Sequence, residues 1–252
     1  MLARLFASLR SSAPSAPLLP PTQPTTSFAQ QARSMASSAS DKPQFGTFAN
    51  GCFWGTEHIF REHYAGGKGL LDAKVGFIGG KESSKNPSYE EVCTGRTGHA
   101  EAAQVKFDPS KVSYAELVEF FYRTHDPTQL NAQGNDRGTQ YRSAIFAHDA
   151  EQLETAKKVT AEVQEKHFTP KGKKIVTQIE QREAGDFFEA DSYHQEYLYK
   201  HPNGYQCANH RLCEFAQAGR GRPMPDASPL SHSDTPCLAL QGGDLPPLVS
   251  AP

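Results

Sequence analysis

Apolar residues along this chain switch repeatedly between a two-residue period and one near 3.6, and that switching constrains the fold more than any other feature. Runs at 44–50, 71–78, 99–107, 140–147 and 174–181 have strand length, β-branched or aromatic content, and polar or glycine boundaries. Stretches at 54–64, 113–124 and 150–166 read as helices. Within 113–124, Tyr114, Leu117, Val118, Phe121 and Tyr122 fall on one face, and Ser113 with Glu116 forms a capping-box pattern at the start. Strands and helices in this alternation predict an α+β domain, a two-layer sandwich with helices packed on a mixed β-sheet. There is no internal repeat.

The two ends fall outside the pattern. Residues 1–40 contain no Asp, Glu or Lys, carry Arg4, Arg10 and Arg33, and are rich in Ser, Ala and Pro, which is the composition of an organelle presequence. Leu2, Leu5, Phe6 and Leu9 recur there at helical spacing around Arg4 and Arg10. The expectation is mitochondrial import, with Met35 as a second start that would give a cytoplasmic form. Residues 219–252 are too rich in Pro, Gly and Ser to bury a core and are expected to be disordered. That leaves 44–215 as a single folded domain, expected to act as a monomer.

A formal net charge of -2, with neither sign in a long block, argues against nucleic acid or an anionic membrane as partner. No apolar run approaches the length of a membrane span. The cysteines are Cys52, Cys93, Cys207, Cys213 and Cys237. An odd, scattered set behind such a leader fits reduced thiols better than a disulfide scaffold.

The stretch FANGCFWGTEHIFR places Cys52 at a turn from strand to helix, with Phe53 and Trp54 directly after it. A helix N-terminus offers unpaired amides and a positive dipole end, which favour thiolate over thiol. From spacing alone, however, a lone cysteine at a strand end reads first as a small buried apolar residue. In TGHAEAAQVKF, strand alternation puts His99, Glu101, Ala103, Val105 and Phe107 on one face. A carboxyl group held toward a core is pushed toward its neutral form and can then give a proton. The plainer reading is a glutamate near a strand end, paired or wetted by a loop. Tyr89 in NPSYEEVCTG, and Tyr141 with Asp136 in GNDRGTQYRSA, stand beside turns from which a phenol can point into a cleft, although each alone reads as a packed ring.

Taken together and in order, GCFWGTEHIFR (51–61), GFIGG (76–80), NPSYEEVCTGRTGHAE (86–101), HDPTQLNAQGNDRGTQYRSAI (125–145) and HPNGYQC (201–207) resemble the type A peptide methionine sulfoxide reductases. The resemblance implies a ferredoxin-like core and reduction of methionine-S-sulfoxide. It makes Cys52 the nucleophile and Phe53 with Trp54 an apolar wall for the substrate methyl group. Glu101, helped by Tyr89 and Tyr141, would protonate the sulfoxide oxygen, and Asp136 would organise the pocket. The reaction would leave methionine and a sulfenic acid on Cys52, resolved as a disulfide by Cys207. Thioredoxin, or dithiothreitol in its place, would then reduce that disulfide, with no cofactor and no metal. Cys213 is a candidate third recycling cysteine, Cys237 a weaker one, and Cys93 reads as structural. The family often shows Gly-Tyr where this chain has Gly76 and Phe77.

Two rival readings rest on residue types alone. His194, His201 and the C-x-x-H-x-x-C run from Cys207 to Cys213 place zinc-type ligands in one region, but without the usual paired C-x-x-C. Cys52 with His99 could serve acyl transfer, but no local signature supplies the orienting group or the oxyanion hole.

Overall fold

The computed structural model describes residues 42–205 and Leu212. The leader, the tail and Cys207, Cys213 and Cys237 lie outside those residues. In chain order the elements are β1 (Gln44–Asn50), α1 (Phe53–Tyr64), β2 (Leu70–Ile78), α2 (Tyr89–Cys93), β3 (Ala100–Phe107), α3 (Tyr114–Arg123), a short hairpin of β4 (Ala132–Gln133) and β5 (Asp136–Arg137), β6 (Ser143–Ala147), α4 (Ala150–Val163), β7 (Gln178–Gln181), β8 (Phe188–Glu189) and α5 (Tyr197–Lys200).

Six strands make one sheet in the order β7-β6-β1-β3-β2-β8. All neighbours run antiparallel except β6 and β7, which are parallel, so the sheet is mixed. Its central strands β6-β1-β3-β2, joined through α1 and α3, trace the β-α-β-β-α-β path of a ferredoxin-like core. The α+β architecture is therefore the expected one. No helix among the described residues is long and apolar enough to cross a membrane.

Helices α1, α3 and α4 share a core with one face of the sheet. Phe48 of β1 sits inside it, with ring centroids 5.1 Å from Phe60 of α1 and 5.7 Å from Phe121 of α3. The α3 face read from spacing, Tyr114, Leu117, Val118, Phe121 and Tyr122, is buried throughout. Burying each such side chain contributes roughly 1.5–3 kcal/mol. Ser113 caps α3 by accepting a hydrogen bond from the Glu116 amide at 3.2 Å.

The opposite face is built from small residues. Ala49, Ala100, Ala102 and Ala144 lie there with Ile78 and Phe146, and Phe187 packs over them. The small side chains let the 182–190 segment approach the sheet closely, and Gly76 is the tightest point. A Cβ on Gly76 would overlap the Phe188 carbonyl oxygen and lie 2.7 Å from the Phe187 ring. The neighbour on the β8 side is backbone and cannot rotate away. Gly76→Ala should therefore lower stability by about 1–3 kcal/mol, read as a drop of several degrees in a thermal melt. An unchanged melt would mean that β8 does not hold this position.

Where the elements differ from the sequence reading, local hydrogen bonds explain it. The run at 140–147 pairs only from Ser143, because 139–141 form a 3-10 turn entered through Gly138 at φ 137°. Arg142 pins that turn, donating to the Thr139 carbonyl at 2.9 Å and to the Gly79 carbonyl at 3.3 Å. The run at 174–181 pairs only from Gln178. Before it, the Ile175 amide bonds the Gln164 side chain and the Val176 amide bonds the Pro127 carbonyl, which draws the backbone away from the sheet. Helix α4 ends at Val163 and continues as a wider π turn over Gln164–Phe168. Helix α2 is an element the periodicity did not reveal. A complete capping box forms it, with the Glu91 amide donating to Ser88 Oγ at 3.2 Å and the Ser88 amide to Glu91 Oε2 at 2.9 Å.

Candidate active site

Strand β1 runs straight into the site. After Asn50 the chain turns through Gly51 at φ +109°, a conformation that favours glycine, and Cys52 caps the N-terminus of α1. Side chains lock the turn. The Cys52 carbonyl accepts from the Thr56 amide at 3.3 Å and from Thr56 Oγ1 at 3.2 Å. The Thr56 hydroxyl also bonds Asn50 Oδ1, and Asn50 Nδ2 donates to Thr124 Oγ1 at 2.8 Å. Cys52 is a buried thiol, 2 % exposed. It stands where the helix dipole favours negative charge on sulfur.

Glu101 comes from β3, the neighbouring strand, and pairs across the sheet with Phe77 of β2. Its Oε2 accepts the Phe53 amide at 3.1 Å, one of the first-turn donors of α1 that have no partner within the helix. That bond ties the acid to the residue directly after the thiol. Burial pushes the Glu101 carboxyl up to about 8. The Phe53 amide opposes the shift and the negative charge of Asp136 adds to it. At neutral pH the group is thus mostly a neutral acid, able to give a proton.

The two tyrosines complete the polar side. Tyr89 opens α2, and Tyr141 closes the 3-10 turn before β6. Burial first, and then the nearby charges of Glu101, Cys52 and Asp136, push both phenols far above the ordinary tyrosine value. Both remain hydrogen-bond donors across the physiological range. Asp136, on the β4–β5 hairpin, is buried and accepts the Tyr205 hydroxyl at 2.9 Å. Among the described residues, Glu101 Oε1 and the Tyr141 hydroxyl have no hydrogen-bond partner. Two buried polar groups left in that state in one site can both serve a polar ligand.

An aromatic cluster adjoins them. Phe53 lies 5.8 Å from Phe77, 6.3 Å from Tyr89 and 5.4 Å from His194, centroid to centroid. Trp54 stacks on Tyr197 of α5 at 3.7 Å with 11° between planes, and its indole N–H donates to His194 Nδ1 at 3.1 Å. An Nδ1 that accepts implies a neutral imidazole, and burial lowers the His194 pKa in agreement.

The structure thus brings together Cys52, Phe53, Trp54, Tyr89, Glu101, Asp136 and Tyr141. Sequence reasoning missed Phe77, Tyr197 and Tyr205 as parts of the same cluster. It weighed His194 only as a zinc ligand, whereas the nitrogen facing Trp54 is occupied by the indole proton. His99, the base of the acyl-transfer reading, packs edge-on against Phe188 beside Gly80. Burial lowers its pKa, and the charges it faces are Arg142 and Arg182. The aromatic spacing in DSYHQEYLYKH was the available signal for the far wall. That segment is docked on α1, where Glu57 Oε1 accepts from Arg61 Nε at 3.0 Å and Oε2 accepts the Glu196 amide at 2.8 Å. Gln195 fixes it to the edge of β2, bonding the amide and carbonyl of Val75 at 2.9 and 2.8 Å.

Comparison with known proteins agrees with this arrangement. A family model described as peptide methionine sulfoxide reductase matches residues 44–220. The probable peptide methionine sulfoxide reductase of Schizosaccharomyces pombe is 47% identical over 169 residues, 67% of this chain and 96% of that one. The peptide methionine sulfoxide reductase of Saccharomyces cerevisiae is 45% identical over 173 residues, 67% of this chain and 90% of that one. Among solved structures, Saccharomyces cerevisiae Mxr1 in reduced form superposes with a TM-score of 0.62 at 45% identity, covering 69% of this chain and 93% of that one. Methionine sulfoxide reductase A of Corynebacterium diphtheriae gives 0.60 at 36% identity, covering 68% and 80%. With matching motifs, fold and site, the chain belongs to the peptide methionine sulfoxide reductases, a family of oxidoreductases.

Proposed function

We propose that this chain reduces the S epimer of methionine sulfoxide in proteins and as the free amino acid, with Cys52 as nucleophile and Glu101 as acid. The observation that carries the reading is the presence of two buried polar groups, Glu101 Oε1 and the Tyr141 hydroxyl, beside an aromatic cluster that contains one buried thiol. A methyl sulfoxide has matching halves. Its S-methyl group suits Phe53 and Trp54, and its oxygen accepts from Glu101, Tyr141 and Tyr89.

The chemistry follows from the placement. The Cys52 thiolate, favoured by the α1 N-terminus, attacks the sulfoxide sulfur. Glu101 delivers a proton to the oxygen, without which oxygen leaves sulfur poorly. The net result is transfer of oxygen from the methionine sulfur to the Cys52 sulfur, giving methionine and a sulfenic acid. Asp136 raises the Glu101 pKa by its charge and accepts the hydroxyl of Tyr205, which stands two residues before Cys207 in the sequence. Cys207 condenses with the sulfenic acid to a disulfide, releasing water, and thioredoxin or another dithiol restores the thiols. No cofactor enters this cycle. The leader composition supports delivery to mitochondria, and initiation at Met35 would leave a cytoplasmic form.

The test is to incubate the full chain with dithiothreitol and the separate S and R epimers of a blocked methionine sulfoxide. Consumption of the S epimer alone is expected. Consumption of neither epimer would remove the reading, and consumption of R would remove the stereochemical part of it.

A further inference from the structure

Loops that follow β2, precede β3 and precede β6 line an open cavity of about 400 Å³. Lys81, Arg96 and Arg142 border it against one carboxylate, Glu180, which is itself paired with Arg182 at 3.4 Å. The rest of the lining is neutral. Among the described residues, no carboxylate lies within ion-pair distance of any of the three cations.

Arg142 is the buried member, 6 % exposed. Its guanidinium donates to the Gln178 side chain at 2.9 Å and to the carbonyls of Thr139 and Gly79 at 2.9 and 3.3 Å, all neutral acceptors. A guanidinium has five N–H donors, so part of its capacity is unused among the described residues. A buried cation without a counter-charge is costly, and an entering anion would offset that cost. The surrounding loops are already fixed. The Lys81 amide donates to the Thr97 carbonyl at 2.9 Å, and a Cβ on Gly98 would meet the Lys81 stem at 3.8 Å.

The cavity and the thiol share one end of the sheet. Asn50, two residues before Cys52, pairs with Ser143, directly after Arg142, while Ile78, directly before Gly79, pairs with Ala100. They lie on opposite faces. A Cβ on Gly79 would run into the Phe146 ring of the small-residue face, whereas Tyr141 belongs to the cluster around Cys52. Packed layers stand about 10 Å apart, so a chain passing over the sheet end needs at least about three extended residues. Free methionine sulfoxide cannot bridge that gap, but a polypeptide can.

We propose that this cavity is an oxyanion subsite for the polypeptide substrate, taking the carboxylate of an Asp or Glu side chain about three or more residues from the oxidised methionine. The inference rests on the reaction proposed above and names the proteins it favours, those whose oxidised methionines have acidic side chains nearby in sequence. Arg142 supplies charge-assisted hydrogen bonds, and the exposed Lys81 and Arg96 draw the anion in.

The test uses the full chain with dithiothreitol and two peptides that share a single methionine sulfoxide. One carries Glu about three to five residues away on both sides, and the other carries Gln at the same places. The acidic peptide should show a KM roughly tenfold lower with little change in kcat, an advantage that shrinks as salt is raised. In a Lys81→Ala, Arg96→Ala double variant the advantage should fall to about threefold or less. Both side chains are exposed, and a thermal melt checks that the variant folds. Inorganic phosphate separates a substrate carboxylate from a free anion, since as a competitor it should raise KM for the acidic peptide alone. Equal KM values for the two peptides would overturn the proposal, as would an acidic advantage undiminished in the double variant. Phosphate that slowed both peptides alike would also overturn it, making the cavity a free-anion site. If blocked methionine sulfoxide is not reduced either, the failure lies in the assignment of Cys52. Fluorescence anisotropy then decides the cavity separately, because only the acidic peptide should bind in a salt-sensitive way.

Discussion

Cys52→Ser should abolish sulfoxide reduction while leaving the fold intact. A serine hydroxyl remains protonated at neutral pH, is a poor nucleophile toward sulfur, and cannot form a sulfenic acid. The methionine-forming step should fall by at least about 10⁴-fold. The structure also says why this variant keeps its shape. Cys52 occupies the N-cap of α1 with no side-chain capping bond. Serine is among the preferred residues there and can accept a first-turn amide, worth on the order of 1 kcal/mol to the helix. The thermal midpoint should stay level or rise slightly while turnover vanishes. Residual turnover above one part in about 10³ would place the nucleophile elsewhere.

Glu101→Gln should separate activity from stability in the opposite sense. Glutamine keeps the size of the side chain and can still accept the Phe53 amide, but it has no proton to give. The single-turnover rate should drop by about 10²–10⁴-fold. In the unmodified chain the same step should decline as pH rises through about 8, where the buried carboxyl ionises, and the glutamine variant should lose that limb. The stability effect has a definite sign. The folded-state pKa is raised from 4.5 to about 8. Relative to the variant, the fold therefore loses stability as pH climbs through that window. From the lower to the upper end of it, the balance should shift toward glutamine by on the order of 5 kcal/mol. Thermal melts at pH 5 and pH 9 would read this as a gap between the two proteins that widens with pH. A gap that stayed constant would mean that the carboxyl is not held neutral by burial.

Much of this site was legible because its residues lie within a few positions of a structural boundary. Cys52 follows a strand and precedes a helix, so its place at a positive helix end could be read directly. Glu101 could be assigned to the core face because β3 alternates without interruption. Tyr89 and Tyr141 were harder, since each sits on a single turn too short to carry a period. The S-Y-E-E capping box over Ser88–Glu91 was present in the letters and would have revealed α2. The far wall was not legible by such means. The bond between Trp54 and His194 spans 140 positions, and no local pattern announces a partner at that distance.

The stacked indole has a practical consequence. The chain contains one tryptophan, and it is the one that forms the pocket wall. Its emission therefore comes wholly from the site, from a ring lying on Tyr197 and bonded to a neutral His194. A sulfoxide entering against that ring would alter the signal, and so would protonation of His194, whose acceptor nitrogen would then carry a hydrogen. Because burial holds that imidazole below its ordinary range, an optical titration at neutral pH should register ligand without interference from the histidine. The unmodified enzyme thus carries a built-in fluorescent reporter of pocket occupancy.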